Sequence, residues 1–243
     1  MRVLAIETSG RHGSIALLEG EGDGTRLVGQ TLLAGSERTA QALAPALKDL
    51  LAEAEWPADS IGLVSVAVGP GSFTGLRIGV TTAKILAYAV GAQVIGVNTL
   101  SVLAGQVPSD GAELWAVVDA QRQELFAAKF ACDESGCPQM THETHIIPVP
   151  DWLADLVSGD RVTGPALQRL HDRLPDGVTA VPEECWQPTA HAVGRLGWTL
   201  YQQGQRDDVW QLVPRYYRPS AAEEKKHRQG DKETRRRGDV ETR

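Results

Sequence analysis

The chain has 243 residues, of which 42% are hydrophobic and 23% charged, with a formal net charge of −7. That is long enough for one large domain or two lobes, each with its own core, and no apolar run reaches the roughly 18 residues of a membrane span. The opening MRVLAIETSG reads as a strand and a turn rather than a signal peptide, and three scattered cysteines (Cys132, Cys137, Cys185) do not form a disulfide framework or a zinc site, so a cytoplasmic enzyme or adaptor with no membrane partner is expected.

In chain order, RVLAIE (Arg2–Glu7) is the first strand and TSGRHG its turn, and SIALLEG and TRLVGQTLLA follow as strands. SERTAQALAPALKDLLAEAEW is a helix with Leu43, Leu47, Leu50 and Leu51 on one face. Ser36 is its expected N-cap and Pro57 its stop. IGLVSVAVG (Ile61–Gly69) has the continuous apolar character of a strand covered on both faces. GPGSFTGLRIGVTTAKILA launches a second helix, AQVIGV is the next strand, and NTLSVLAGQ is a short helix. The pattern then restarts. ELWAVVDAQRQELFAAKFAC is a strand, turn and strand, and QMTHETHIIPV is a third strand. PDWLADLV and GPALQRLHDRL are helical, separated by DRVTG, then GVTAVP is a strand and TAHAVGRLGWTLYQQGQ the closing helix.

Each half therefore reads three strands, helix, strand, helix, and each first strand ends in an acid, Glu7 or Asp119. This order predicts an α/β protein of duplicated RNase H-like units with mixed sheets, the two-lobed (ASKHA) architecture of actin, hexokinase and Hsp70. The expected division is residues 1–105 for the first lobe, 106–220 for the second and 221–243 for a tail. That tail holds eight basic and six acidic residues and almost nothing apolar, a composition expected to stay disordered. Without it the body carries 16 basic and 25 acidic residues, a net −9 that disfavours tight RNA binding by the body alone.

Proteins of this architecture hold ATP between the lobes, with phosphates on the two hairpin turns and Mg²⁺ on the acids. Here the first turn, with Ser9, is glycine-rich, but the second (119–124) has no glycine and places Gln121, Arg122 and Gln123 where phosphates would lie. Arg122 could pair with a phosphate or with Asp119, or fill the cleft. The GPGSFTG loop lacks the lysine of a Walker motif, because Leu76 and Arg77 follow Gly75. Ser72 or Thr74 could cap the helix, with Gly69, Gly71 and Gly75 permitting a tight turn; the alternative is an anion at the helix N-terminus. His142 and His145 are three apart on a strand and so face opposite ways, and no nucleophile elbow is present.

Down the second helix, Gly75, Gly79, Ala83 and Ala87 recur every four residues, a smooth stripe that admits a close backbone. It serves either internal packing or a partner. The expectation adopted is a docking face, on which Gly79→Leu would block partner binding and spare the fold.

VLAIETS, GPGSFTGLRIGVTTAKILA, GVNTLSVLA, VVDAQRQELFAAKF and PRYYR resemble, in order and spacing, the motifs of the TsaB (YeaZ) family over about residues 1–219. The resemblance implies a non-catalytic paralogue of TsaD, without a cofactor of its own, in bacterial synthesis of N6-threonylcarbamoyladenosine at position 37 of tRNAs reading codons that begin with A. It implies direct binding to TsaD through N-lobe helices, with the ATPase TsaE joining and tRNA reached only through the complex. Carried onto this chain, the partner surface is Thr39, Leu43, Leu47 and Leu50 with Gly75, Gly79, Ala83 and Ala87, and the same helices could form a homodimer. Glu7, Ser9, Asp119 and Arg122 become remnants of a phosphate-binding cleft. Arg38 departs from the histidine frequent in the family, and Glu7 from aspartate. The enzyme alternative is a metal- or nucleotide-dependent protein of the same fold, either an M22-type glycoprotease or a kinase-like ATP binder.

Overall fold

Alternation along the first strand decides the layering. In the computed structural model, which describes residues 1–33, 39–108, 112–132 and 138–218, β1 (Arg2–Glu7) sends Leu4 and Ile6 to one face and Val3 and Ala5 to the other. Expectations for Ser36, Arg38 and the tail lie outside the described residues.

β1 pairs antiparallel with β2 (Ser14–Glu21) and parallel with β4 (Ile61–Gly69), and β3 (Gly24–Leu32) and β5 (Gln93–Asn98) complete a sheet of order β3-β2-β1-β4-β5. The second sheet repeats the plan as β10-β9-β6-β7-β8, from β6 (Leu114–Asp119), β7 (Glu124–Cys132), β8 (Pro138–Pro148), β9 (Arg161–Thr163) and β10 (Thr179–Ala180). β9 pairs parallel with β6 as β4 does with β1. It lies in the DRVTG segment expected only to separate two helices. Three residues are too short a run to show a period in the sequence.

Helices α1 (Thr39–Glu53) and α2 (Phe73–Val90) cover the Leu4/Ile6 face, with Leu43, Leu47, Leu50 and Leu51 buried. The chain turns out of α1 earlier than Pro57 requires. Glu55 takes a left-handed φ of 54°, and the amides of Glu55 and Trp56 donate to the carbonyls of Ala52 and Leu51 at 3.1 and 2.9 Å. This is a Schellman ending built without glycine, so no composition signal marks it. The α4 helix (Val149–Asp155) stands where expected, whereas GPALQRLHDRL forms only a single turn, α5 (Leu167–Leu170), and a 3₁₀ turn.

The closing helix of each half crosses over. α3 (Thr99–Gly105) buries Leu100, Leu103 and Ala104 with the core of the second sheet, while α6 (Ala190–Gln202) packs on the Val3/Ala5 face of the first. A cut at residue 105 thus divides the chain but not the two cores.

The Gly75/Gly79/Ala83/Ala87 stripe faces inward, as does the leucine face of α1. A Cβ on Gly75 would lie 2.0 Å from the Thr8 carbonyl oxygen, and one on Gly79 would lie 2.2 Å from Thr8 Oγ1. Ala83 and Ala87 are buried in the same core. The stripe is the seat of α2 on its own sheet, and the small residues are spent on that approach. The expectation that Gly79→Leu would spare the fold is corrected accordingly.

Just below this seat Glu7 is fully buried, with Oε1 accepting from the Ser9 amide at 2.6 Å and from the Ser9 hydroxyl. Burial raises its pKa from 4.5 to about 7, against the lowering effect of the Ser9 hydrogen bonds.

Two outcomes follow from this packing. Gly79→Leu should lower stability in denaturant by about 3 kcal/mol or more, the cost of overpacking against a rigid strand; an unchanged midpoint would mean that α2 does not lie this close to β1. For Glu7, the folded-state pKa lies above the unfolded value, so its contribution is fully present below about pH 4.5 and is lost as pH rises to about 7. Relative to Glu7→Gln, wild-type stability should fall by roughly 3 kcal/mol between those limits, and parallel profiles for the two proteins would refute the buried acid.

Candidate functional site

The GPGS loop reaches α2 by folding onto the first hairpin turn. The Ser72 amide donates to the Ser9 carbonyl at 2.7 Å, and a Cβ on Gly71 would lie 2.5 Å from that same oxygen. Ser72 then caps the helix, its Oγ accepting from the Gly75 amide at 3.2 Å, while Thr74, the other candidate cap, is exposed on the first turn. Gly69 adopts φ 119°, and Gly75 sits inside the helix rather than in the turn.

Beside this loop a cleft of about 640 Å³ opens between the lobes. Gly71, Phe73 and Leu76 form one wall, Asp119, Arg122 and Phe126 the other, and the C-terminal segment 215–218 closes one side. Of the four positions expected around a phosphate cleft, Asp119 and Arg122 line it. Glu7 and Ser9 are buried and do not. Asp119 accepts from the Gln121 amide at 3.0 Å and pairs with Arg169 at 2.9 Å.

The second hairpin turn has an unusual backbone. Gln121, Arg122 and Gln123 have φ of 65°, 56° and 59°, three left-handed residues in succession with no glycine among them. Each such residue costs about 1 kcal/mol or more. The conformation is held by Ala120 N–H to Glu124 O at 2.9 Å, Glu124 N–H to Gln121 O at 3.0 Å and Val149 N–H to Gln123 O at 2.9 Å. The turn thus has a glycine-like path while carrying side chains, and Gln121 and Arg122 take up room at the cleft wall.

PRYYR has no evident role in the sequence alone, and the structure gives it one. Leaving α6, the chain bridges to β5 at Val94↔Asp207, and Asp207 Oδ2 accepts from the Gly96 amide at 2.8 Å. It then runs beside α2, where Lys84 donates to the carbonyls of Trp210 and Leu212, both at 3.0 Å. Arg215 N–H donates to Val68 O at 2.7 Å, and Asn98 Nδ2 to the Tyr217 hydroxyl at 3.0 Å. Arg218 finally donates to Ala120 O at 2.7 Å and pairs with Glu124 on the second lobe. The segment is a strap across both lobes, tied to the strained turn.

The outer face of α2 remains uncovered. Ile85 and Tyr88 are 64% and 65% exposed, and Trp210 and Val213 on the strap are 68% and 61% exposed. Phe73 packs at a tilt against Tyr216 with ring centroids 4.8 Å apart, Arg77 Nε donates to the Tyr216 hydroxyl at 2.8 Å, and Tyr88 meets Trp210 edge-on at 5.0 Å. His142 and His145 are exposed on β8, and among the described residues no group of three or more His, Cys, Asp or Glu side chains could hold a metal. No helix among them is long and apolar enough to cross a membrane.

Residues 33–148 match the family model for TsaD, tRNA N6-adenosine threonylcarbamoyltransferase. The tRNA threonylcarbamoyladenosine biosynthesis protein TsaB of Escherichia coli is 31% identical over 91% of this chain and 96% of its own length. The Bacillus subtilis protein of the same name is 27% identical over 93% and 97%. Among solved structures, a Pseudomonas aeruginosa protein described as similar to peptidase YeaZ superposes with a TM-score of 0.74 at 26% identity, covering 89% of this chain and 99% of that one. The two-lobed α/β fold expected from the element order is thus found in structure and relatives alike, and the chain belongs to the TsaB family.

Proposed function

We propose that this protein is a non-catalytic subunit in the synthesis of threonylcarbamoyladenosine on tRNA, acting by binding and activating a TsaD-type transferase. Relatives matched along almost their whole length carry that pathway in their names. In this reading TsaD transfers the threonylcarbamoyl group to adenosine 37 of tRNAs reading codons that begin with A. TsaE and tRNA are met only through the complex.

One observation carries the reading: a long helix packed on the first sheet leaves large apolar side chains in solvent. Ile85 and Tyr88 keep nearly two thirds of their surface in water in the monomer, whereas burying such side chains in a partner stabilises a complex by about 1.5–3 kcal/mol each. The interface expected from sequence moves to the opposite side of the same helix. The docking face is the exposed one, with Phe73, Arg77, Thr81, Ile85 and Tyr88 on α2 and Ala40, Ala44 and Lys48 on the outer side of α1. The cleft supports an ATP-dependent reading less well, since its second turn sets Gln121 and Arg122 at the wall and Glu7 is sealed away from it.

The full chain mixed with TsaD of the same organism should sediment as a complex. Ile85→Glu should weaken that complex at least about 100-fold, because a charge would be buried unpaired, with an unchanged melting temperature. Absence of a complex with wild type under every nucleotide condition, or normal binding by Ile85→Glu, would defeat this reading.

A further inference from the structure

The cleft between the lobes has a chemistry that the partner-binding reading leaves unused. Two aromatic pairs flank it from opposite lobes. Phe73 of α2 lies tilted against Tyr216 with centroids 4.8 Å apart, and Phe126 of β7 against Tyr217 at 6.1 Å. Rings lining a common space favour a flat apolar group between them. The volume of about 640 Å³ is that of a small-molecule site rather than a packing defect.

Charge in the cleft runs against that of the chain. Three arginines line it, Arg122, Arg215 and Arg218, against a single carboxylate, Asp119, which is already engaged by Arg169 and the Gln121 amide. Arg218 is committed to Glu124 and the Ala120 carbonyl. Arg215 is not. Its amide is pinned to the Val68 carbonyl at 2.7 Å, while its guanidinium has no hydrogen-bond or ion-pair partner among the described residues. In a chain of net charge −7 such a cationic hollow attracts an anion. Arg122 stands there at a cost, since glycine would follow its φ of 56° without strain.

The same features disfavour an extended phosphate chain. Of the two hairpin turns between which it would lie, the first keeps Glu7 and Ser9 buried away from the cleft, and the second fills its path with Gln121 and Arg122. A compact anion needs neither turn. One carboxylate, phosphate or sulfonate group matches the fork of an arginine.

We infer that the cleft is a binding site for a small flat anion, an aromatic ring bearing one acidic group. Its ring lies among Phe73, Phe126, Tyr216 and Tyr217, and its charge is met by Arg215 and Arg122. Such a ligand touches both lobes and the strap at once, so it stabilises the folded chain as its concentration rises. Binding there needs no partner chain.

The test uses the full chain and the fluorescent aromatic anion anilinonaphthalene sulfonate, with phenyl phosphate, phenol and inorganic phosphate as competitors. Phenyl phosphate should displace the dye and raise the melting temperature, and at the same concentration neither phenol nor inorganic phosphate should do so. Arg215→Ala and Arg122→Gly should each weaken dye binding at least about tenfold, and Ile85→Glu should leave it unchanged. Melting temperatures are taken for every variant, and the two arginine variants stand in for each other should either fail to fold. Dye binding that survives in both arginine variants, or that Ile85→Glu abolishes, would put the dye on the face of α2 and overturn the inference. Displacement by phenol or by inorganic phosphate as effective as by phenyl phosphate would overturn the ligand class. ATP that displaces the dye at a concentration at least about tenfold lower would make the cleft a polyphosphate site. A peptide of residues 219–243 that does the same would make the chain's own tail the occupant, and either result defeats the inference.

Discussion

The rest of this structure depends on how closely α2 lies on β1. With Gly75 and Gly79 above Thr8, the helix axis sits lower than any larger side chain would permit. That depth draws the GPGS loop onto the first hairpin turn, where the Ser72 amide meets Ser9, and it seals Glu7 beneath. The cost is visible in the same place: a carboxyl pushed up to about 7 and a Thr8 hydroxyl with no hydrogen-bond partner among the described residues. The burial of Leu4, Ile6, Val66, Val80 and Ala83 in one core outweighs both, at about 25 cal/mol per Å² of apolar surface. Seating the small face inward also leaves the large face outward, so internal packing sets which residues a partner can meet.

The second constraint is the tie between lobes. A turn of three left-handed residues would relax if released, since together they cost several kcal/mol. Hydrogen bonds to charged groups shielded from water contribute about 1.5–3 kcal/mol each, as Arg218 makes to Glu124 and Ala120 O, whereas the more exposed Arg169–Asp119 pair adds about 0–1 kcal/mol. These are of the same size as the strain they offset. The strap that supplies Arg218 also touches α2 through Tyr216, so the helix face and the cleft wall share one mechanical connection.

Most of the architecture was legible in the sequence because periodicity marks it. Strands β1, β4 and β6 are unbroken apolar runs, α2 is long and well capped, and the repeated element order gave the duplication. Signals failed where structure rests on few residues or on backbone alone. β9 is three residues long, α1 ends on a non-glycine left-handed residue, and the exchange of α3 and α6 between sheets leaves no trace in local pattern. The error at the candidate site has a clear cause. A stripe of small residues records that something approaches closely, but not whether it is a partner or the chain itself. Thr8 could be named as the neighbour only once the strand and helix were in place. The strap escaped because 206–218 has neither helical nor strand period; its work is done by single side chains, two backbone amides and two carbonyls.

The contact between Asp207 and β5 has a bearing on solubility. β5 is the last strand of its sheet, and an outer strand with unspent amides invites another chain to pair with it. Here Asp207 N–H meets the Val94 carbonyl, and its carboxylate occupies the neighbouring Gly96 amide, where a foreign strand would need to place a carbonyl. A fixed negative charge at the rim repels that arrival and cannot itself propagate a ladder. The same segment that braces the lobes thus acts as a guard against sheet-to-sheet aggregation, and chains cut short before residue 207 would expose an adhesive edge even with both cores intact.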